Sequence, residues 1–275
     1  MVVTEANKIA VLIDGDNAEA QLIDQILNEA SKYGRVTIKR IYADFTTHRM
    51  NSWKEQLNVH AIRPIQKFAY TKGKNSTDSA LIIDAMDVMH SKLVDGFCIV
   101  SSDSDYTGIA NRIREEGMFV MGIGQAHTPE AFVKACDNFT YTEILSPSAK
   151  KVPKAPKKTK AAGRPEPKEQ PGKDKQKKAV TAAPAEPEKV YLTNLVTHQP
   201  IDMGMVEKAF EMVYDGLTGL ALASRMGNAL KKVDPTFDIR NYGHNSFRKF
   251  LEALSPKFSV VLDKDGQTMS VKRGL

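Results

Sequence analysis

The chain has 275 residues, enough for about two domains, and a hydrophobic content of 41%, which is sufficient for a buried core. No apolar run approaches the ~18 residues of a membrane-spanning helix, and the first residues, MVVTEANK, lack the basic-then-apolar pattern of a secretory signal. Cys98 and Cys136 have no metal-type spacing, which excludes a zinc finger and a disulfide scaffold. We therefore expect a cytoplasmic protein without membrane contact.

The net charge of +6 is distributed unevenly along the chain. Residues 1–145 contain 15 Lys and Arg against 19 Asp and Glu, residues 146–189 contain 13 against 5, and residues 190–275 contain 11 against 9. The middle segment also holds 8 of the 13 prolines and no Leu, Ile, Met or aromatic residue. This composition predicts a disordered basic Pro/Lys-rich linker at 146–189, either a solvated spacer or a weak nucleic-acid-binding tail.

Strand-like and helix-like patterns alternate in residues 1–145. Short runs of apolar or alternating residues predict strands at 9–13, 36–42, 59–62, 97–100 and 118–123. Helical spacing follows the first run and ends near Gly34. A second helix is predicted to begin at Ser76 and Thr77, and a third contains Ile109 and Ile113 and ends at Gly117. The repeated β-then-α order predicts an α/β domain with a Rossmann-like, doubly wound parallel sheet.

Residues 190–275 show a different order of elements. Apolar residues at helical spacing predict four helices, around 192–196, 206–213, 222–233 and 247–254. Apolar residues at 260–262 and 269–271 flank an Asp265-Gly266 turn and predict a β-hairpin. Helices followed by a hairpin predict a small winged-helix-like domain at 190–275.

Acidic residues stand where the predicted strands of the first domain end. Asp14 and Asp16 follow the first strand, Asp103 and Asp105 follow the strand at 97–100, and Asp78 lies in the first turn of a predicted helix. Ligands of an open parallel sheet bind beyond the carboxyl ends of its strands. Two carboxylates ~4 Å apart repel by roughly 4 kcal/mol at an effective dielectric near 20. A divalent cation removes this repulsion, oxygen ligands favour Mg²⁺ or Mn²⁺, and such a site can cleave phosphodiesters.

Each acidic residue also has a simpler interpretation. Asp14 and Asp16, or Asp103 and Asp105, could cap the helices that follow them, and Asp78 could be favoured by its helix dipole. Their shared position at one sheet edge favours the metal site over three separate caps. Asp84 lies about 120° around the helix from Asp78, which predicts an indirect role or an exposed position.

Several basic residues precede Asp78 in the sequence: Arg63, Lys67, Lys72 and Lys74. A basic loop beside a metal site suits contact with a phosphate backbone, although a solvated loop has the same composition. Trp53 and Tyr70 could stack on bases, although lone aromatic residues are more often part of a core.

Three motifs resemble the NYN domain, in the LabA-like branch of the PIN-like nuclease superfamily, over about 8–145. They are residues 9–17 (IAVLIDGDN), 72–84 (KGKNSTDSALIID) and 100–106 (VSSDSDY). The resemblance implies a catalytic site for Mg²⁺ or Mn²⁺, with these residues as ligands directly or through water: Asp14, Asp78, Asp103 and Asp105. It implies supporting roles for Asn17, Ser101 and Asp16. Ser102 stands where the family usually has Gly, which could stiffen the turn.

The C-terminal segment resembles the end of an OST-HTH or LOTUS domain, over about 190–272. The similar residues are 237–243 (FDIRNYG) and 247–251 (FRKFL). The resemblance implies RNA as a partner and, as in some family members, a possible protein partner. Arg248 and Lys249 are the candidate RNA-binding residues of this domain, together with Lys67, Lys72 and Lys74 of the first.

Three functions remain open at the level of sequence. The first is a metal-dependent ribonuclease with a C-terminal RNA-binding module. The second is a non-catalytic RNA-binding or adaptor protein with a vestigial metal pocket. The third is a haloacid-dehalogenase-like phosphatase, because Asp14-Gly15-Asp16 has the form of an Asp-x-Asp nucleophile motif. Against the phosphatase, residue 18 is Ala rather than Thr or Val, and no cap domain is evident.

Overall fold

The N-terminal domain is built on a sheet in which three strands, Lys8–Asp14, Gly96–Val100 and Phe119–Gly124, are almost continuous apolar runs. The computed structural model describes residues 8–68, 76–145, 198–263, 266 and 268–274. The strands of this domain are β1 (Lys8–Asp14), β2 (Arg35–Ala43), β3 (Arg63–Gln66), β4 (Gly96–Val100), β5 (Phe119–Gly124) and β6 (Asn138–Tyr141). They form one sheet in the order β3-β2-β1-β4-β5-β6, and every neighbouring pair is parallel. The predicted Rossmann-like α/β fold is confirmed.

Helices cover both faces of this sheet, which explains why its central strands are apolar throughout. They are α1 (Ile23–Ser31), α2 (Asn51–Val59), α3 (Ser76–His90), α4 (Thr107–Glu115), α5 (Glu130–Ala135) and α6 (Thr142–Leu145). Successive strand residues point to opposite faces. Leu12 therefore packs in one core cluster with Leu81 of α3, and Ile13 packs in the other with Ile26 of α1.

The strand order places a crevice between β1 and β4. β1 pairs with β2 on one side and with β4 on the other, so the connections leave β1 and β4 in opposite directions. This is the switch point at which open α/β sheets bind ligands, outside the carboxyl ends of the strands. Ile13 pairs with Val100 in the register, so Asp14 and Ser101 are neighbours beyond the sheet. The fold thus brings two of the predicted acidic segments together.

The strand predicted at 59–62 is wrong. Val59 is the last residue of α2 and is 69% exposed, and Ala61 has a left-handed backbone with φ of 49°. The true strand, β3, begins at Arg63 and contains Pro64. Proline cannot donate a ladder hydrogen bond, but it is tolerated in an edge strand such as this one. Four further elements of this domain have no counterpart among the predicted ones: α2, α5, α6 and β6.

The C-terminal domain combines helices with a small antiparallel sheet. Its elements are α7 (Met203–Glu211), β7 (Leu220–Leu222), α8 (Ala223–Val233), α9 (Phe247–Glu252), β8 (Phe258–Leu262) and β9 (Met269–Arg273). The sheet order is β7-β9-β8. Three helices and the hairpin are confirmed, and β7 is an additional strand of only three residues. The helix predicted at 192–196, the linker at 146–189 and Asp265 lie outside the described residues.

An ion pair between a buried carboxylate and a half-buried arginine joins the two domains, whose described residues belong to one compact unit. Glu29 of α1 is only 4% exposed. Its Oε1 accepts a hydrogen bond of 3.0 Å from Nη2 of Arg240, and its Oε2 accepts one of 2.7 Å from Nζ of Lys32. Arg240 is held in turn by Asp238, to which its Nε donates at 2.9 Å. The Glu29 charge is therefore compensated by a cation from each domain.

Two further hydrogen bonds connect the domains. Nζ of Lys231 donates to the Tyr33 hydroxyl at 3.2 Å and lies 5.2 Å from the centroid of that ring. The Tyr33 ring stacks on Phe119, the first residue of β5, with ring centroids 5.2 Å apart. The amide of Phe139, near the start of β6, donates to the carbonyl of Pro235 at 2.8 Å. These contacts join α8 and the segment after it to the end of α1 and to the start of β6.

Cys98 and Cys136 are buried free cysteines. In the part of the chain that the structure describes, no helix has the length and apolar character needed to cross a bilayer. The cytoplasmic location stays a prediction.

We expect a double-mutant cycle between Glu29→Gln and Arg240→Gln to give a coupling free energy of unfolding of about 1–2 kcal/mol, because the pair is largely desolvated. The matched cycle uses Arg248 and Glu252, an exposed pair joined at 2.9 Å within α9, and should give about 0.3–0.5 kcal/mol. Both cycles are measured by urea denaturation. Equal coupling in the two cycles would show that the Glu29 pair contributes no more than a surface pair.

Candidate active site

The first segment of the site turns sharply as it leaves β1. Asp14 is the last residue of β1 and is fully buried. Gly15 follows it, and its amide donates to the Tyr42 carbonyl at 2.9 Å. A Cβ at Gly15 would lie 2.9 Å from the Cβ of Ala43 and 3.0 Å from the Tyr42 carbonyl oxygen. Only glycine allows the chain to turn this close to β2, so Gly15 sets the direction of the loop that carries Asp16 and Asn17.

The buried Asp14 carboxylate connects the loops that follow β1 and β4. Its Oδ1 accepts from the Asp16 amide at 3.0 Å. Its Oδ2 accepts from Nδ2 of Asn17 at 2.6 Å and from the Ser101 hydroxyl at 2.8 Å. The Ser101 hydroxyl also accepts a hydrogen bond of 3.1 Å from the Asp103 amide. Both oxygens of Asp14 are therefore engaged by donors of this chain, two of which are the side chains of Asn17 and Ser101. Their supporting role in the site stays a prediction.

Burial raises the pKa of Asp14, while the hydrogen bonds from Asn17, Ser101 and the Asp16 amide lower it. The net effect is an increase above the ordinary value. The three donors thus offset only part of the cost of holding this charge away from water.

Three other carboxylates converge beside Asp14. Asp78, Asp103 and Asp105 each place an oxygen so that all three oxygens lie within 4.8 Å of one another. Asp78 and Asp103 are half-buried and Asp105 is exposed. Asp14 does not belong to this group of three. Of the four predicted ligands, the structure thus gathers three into one cluster and places the fourth behind them as a hydrogen-bonded anchor.

Local structure orients the two acidic residues that follow β4. Oδ1 of Asp103 accepts from the Asp105 amide at 2.9 Å and caps the 3-10 helix Ser104–Tyr106. The cap interpretation of Asp103 is therefore correct, but it does not exclude a ligand role, because the capping carboxylate also belongs to the cluster. Ser102, in the position where the family usually has Gly, accepts a hydrogen bond of 2.8 Å from the Gln125 amide. This bond ties the loop to the end of β5.

The cluster has the electrostatic character of a cation site. Burial raises the pKa of Asp78, a hydrogen bond from Tyr106 opposes the increase, and the carboxylates of Asp14, Asp103 and Asp105 add to it. The donor set consists of carboxylate oxygens, which suits Mg²⁺ or Mn²⁺ and not a zinc site built from Cys and His. The residues present therefore fit the cation that the sequence resemblance implies.

The remaining predicted residues are more dispersed. Asp16 has a half-exposed side chain, with one carboxylate oxygen 3.9 Å from Nη1 of Arg49. Lys67 is exposed and directly follows β3, at the same edge of the sheet as the acidic cluster. Arg248 and Lys249 are exposed on α9, on the C-terminal domain. Lys72, Lys74 and Tyr70 lie outside the described residues, and Trp53, at 1% exposure, is a core residue.

Sequence reasoning missed the two tyrosines that hold α3. The Tyr106 hydroxyl donates to Oδ1 of Asp78 at 2.7 Å. The Tyr42 hydroxyl donates to Asp84, which also accepts from Arg40. Tyr106 is the last residue of the VSSDSDY motif, but the spacing of the motif gives no indication that its ring is buried.

Comparison with known proteins agrees with this geometry. The sequence matches the NYN domain over residues 8–145, half of the chain, and the OST-HTH/LOTUS domain over residues 217–269. The chain belongs to the NYN domain family. NYN domains are part of a nuclease superfamily, and OST-HTH/LOTUS domains bind RNA.

No curated protein matches the chain. Among solved structures, a protein of unknown function from Vibrio parahaemolyticus RIMD 2210633 is 20% identical, with a TM-score of 0.42. The similarity covers 50% of this chain and 94% of that one.

The different environments of Asp14 and Asp78 predict opposite effects of neutralisation. Asp14→Asn places an amide group against three donors, so we expect it to lower the stability by about 1–3 kcal/mol. Asp78→Asn removes a charge that burial and three carboxylates disfavour, and its oxygen can still accept from Tyr106, so we expect an unchanged or higher Tm. Both are measured by thermal melts in EDTA at low salt. A higher Tm for Asp14→Asn would contradict the anchoring role of Asp14.

Proposed function

We propose that this protein is a metal-dependent ribonuclease whose C-terminal domain binds RNA. The observation that carries the proposal is the convergence of Asp78, Asp103 and Asp105 at the switch point of a domain from a nuclease superfamily. The presence of an OST-HTH/LOTUS domain in the same chain supports RNA as the substrate. Asp105, the exposed member of the cluster, marks the side from which the RNA backbone approaches.

The three clustered carboxylates would hold Mg²⁺ or Mn²⁺, and Asp14 would fix the loops that carry two of them. A bound divalent cation lowers the pKa of water and stabilises a leaving oxygen, which is the chemistry that phosphodiester hydrolysis requires. The residues of this chain hold the carboxylate ligands in position. Asp103 keeps its orientation through its cap to the Asp105 amide, and Ser101 links that loop to the buried Asp14.

Positive charge at the same edge would assist the approach of the substrate. The clustered carboxylates repel a phosphate backbone, so a nearby cation is needed to bring RNA close. Lys67, which is exposed directly after β3 at the carboxyl end of the sheet, would supply such a charge. Its charge would act on binding of the backbone, and so on KM more than on kcat, because it is not part of the acidic cluster.

The phosphatase alternative is disfavoured by the burial of Asp14. An aspartate nucleophile must present a carboxylate oxygen to the phosphorus atom. Asp14 is fully buried, and both of its oxygens accept hydrogen bonds from the chain. In this fold, Gly15 of the Asp-Gly-Asp sequence forms a turn, and Asp14 anchors the loops after β1 and β4.

We expect the full chain to cleave RNA with Mn²⁺ or Mg²⁺ and to lose this activity in EDTA. Asp78→Asn should reduce kcat by at least ~10²-fold, because the cluster loses one of three charged ligands. Asp87→Asn is the matched control, since Asp87 is exposed on the same helix and carries the same charge. The measurement is cleavage of a mixture of end-labelled RNAs, resolved by electrophoresis.

The outcomes of this assay separate the two remaining functions. Cleavage that survives EDTA, or an equal effect of both substitutions, would reject the metal site. RNA binding without cleavage under any cation would instead identify the non-catalytic adaptor.

The C-terminal domain yields a prediction about RNA affinity. We expect Arg248→Gln with Lys249→Gln to weaken RNA binding by the full chain and to reduce the salt slope of log Kd by about 1–2, because each phosphate contact contributes close to one unit. The control removes two exposed positive charges from the first domain, Lys54→Gln with Lys134→Gln. Binding is measured by fluorescence anisotropy at several salt concentrations. Identical slopes for the two double variants would remove Arg248 and Lys249 from the RNA surface.

A further inference from the structure

A completely buried tyrosine lies directly behind the acidic cluster. Tyr106 ends the 3-10 helix that follows Asp103, and its side chain has no exposed surface. The hydroxyl donates to Oδ1 of Asp78 at 2.7 Å. The ring packs near Phe132, with centroids 6.3 Å apart, so its position is set by the core and not by the acidic residues.

This hydrogen bond links two parts of the site that are distant in sequence. Tyr106 follows the acidic residues of the loop after β4, and Asp78 lies in the first turn of α3. The bond therefore joins α3 to the segment that carries Asp103 and Asp105.

We propose that Tyr106 is a positioning residue that orients Asp78 toward Asp103 and Asp105 for binding of a divalent cation. This inference rests on the proposed function, because it assumes that the cluster binds the cation. The hydrogen bond from this buried tyrosine opposes rotation of the Asp78 carboxylate away from Asp103 and Asp105, which repel it. The cluster is then assembled before the cation arrives, and less binding free energy is used to order it.

A second tyrosine provides an internal control. Tyr42 is also fully buried, and its hydroxyl also donates to a carboxylate of α3, that of Asp84. Asp84 is not a member of the acidic group. Tyr42→Phe and Tyr106→Phe therefore each remove a buried hydroxyl that donates to a carboxylate of α3, and only the second change reaches the cluster.

The experiment is a calorimetric titration of the metal-free full chain with Mn²⁺, using the parent, Tyr106→Phe and Tyr42→Phe. We expect Tyr106→Phe to weaken Mn²⁺ binding by about 10–100-fold, the usual effect of losing a group that supports a ligand. Tyr42→Phe should change the affinity by less than about 2-fold, since it affects no ligand. Thermal melts of both variants in EDTA check that each is folded. They also measure the decrease in Tm that we expect for both, because each loses one buried hydrogen bond.

Each outcome has a definite meaning. Parent protein that binds Mn²⁺ together with an unchanged affinity of Tyr106→Phe would overturn the inference and leave the proposed function intact. Equal weakening by both substitutions, or a Tyr106→Phe protein that does not fold, would show a structural role only and would also overturn it. A parent protein that does not bind Mn²⁺ would reject the metal-dependent function itself.

Discussion

The site depends on the burial of one charge, the carboxylate of Asp14. A carboxylate removed from water is unfavourable unless donors replace its hydration. Here the donors come from the loop after β1, through Asn17 and the Asp16 amide, and from the loop after β4, through Ser101. Any other arrangement of the two loops would leave the charge without these partners. The need to compensate one buried carboxylate therefore gives the loops a single conformation, and that conformation determines where Asp103 and Asp105 lie.

The strand order of the sheet determines where the two loops that compensate Asp14 meet. Because β1 pairs with β2 and β4, the chain leaves the carboxyl ends of β1 and β4 in opposite directions and opens a crevice between them. Helix α3 then brings Asp78 to the crevice, and two buried tyrosines hold this helix at Asp78 and at Asp84. The acidic cluster is thus assembled from three separate parts of the chain, each fixed by contacts made away from the cluster.

Features that depend on a local sequence pattern could be predicted from the sequence. Features that depend on residues far apart in the sequence could not. Continuous apolar runs identified β1, β4 and β5, because strands buried on both faces have no polar alternation. The prediction of a strand at 59–62 was wrong, because Val and Ile favour strands whether or not they are buried. The acidic residues were found from their positions after strands, but the distinction between Asp14 and the other three depends on which donors the fold delivers. The contact between Glu29 and Arg240 spans 211 residues and has no signal in either segment.

Two buried carboxylates have opposite roles in this protein because their partners differ in charge. Glu29 is met by Lys32 and Arg240, so its charge is cancelled where the domains join, and nothing remains to attract a further ion. Asp14 accepts only from neutral groups, which stabilise the carboxylate through their dipoles but leave the net negative charge in place. That charge raises the pKa of Asp78 and adds to the negative potential of the cluster. Neutral donors to Asp14 therefore hold the loops in position and leave a negative charge that attracts a cation to the neighbouring cluster. An arginine in their place would also hold the loops, but its charge would cancel this attraction.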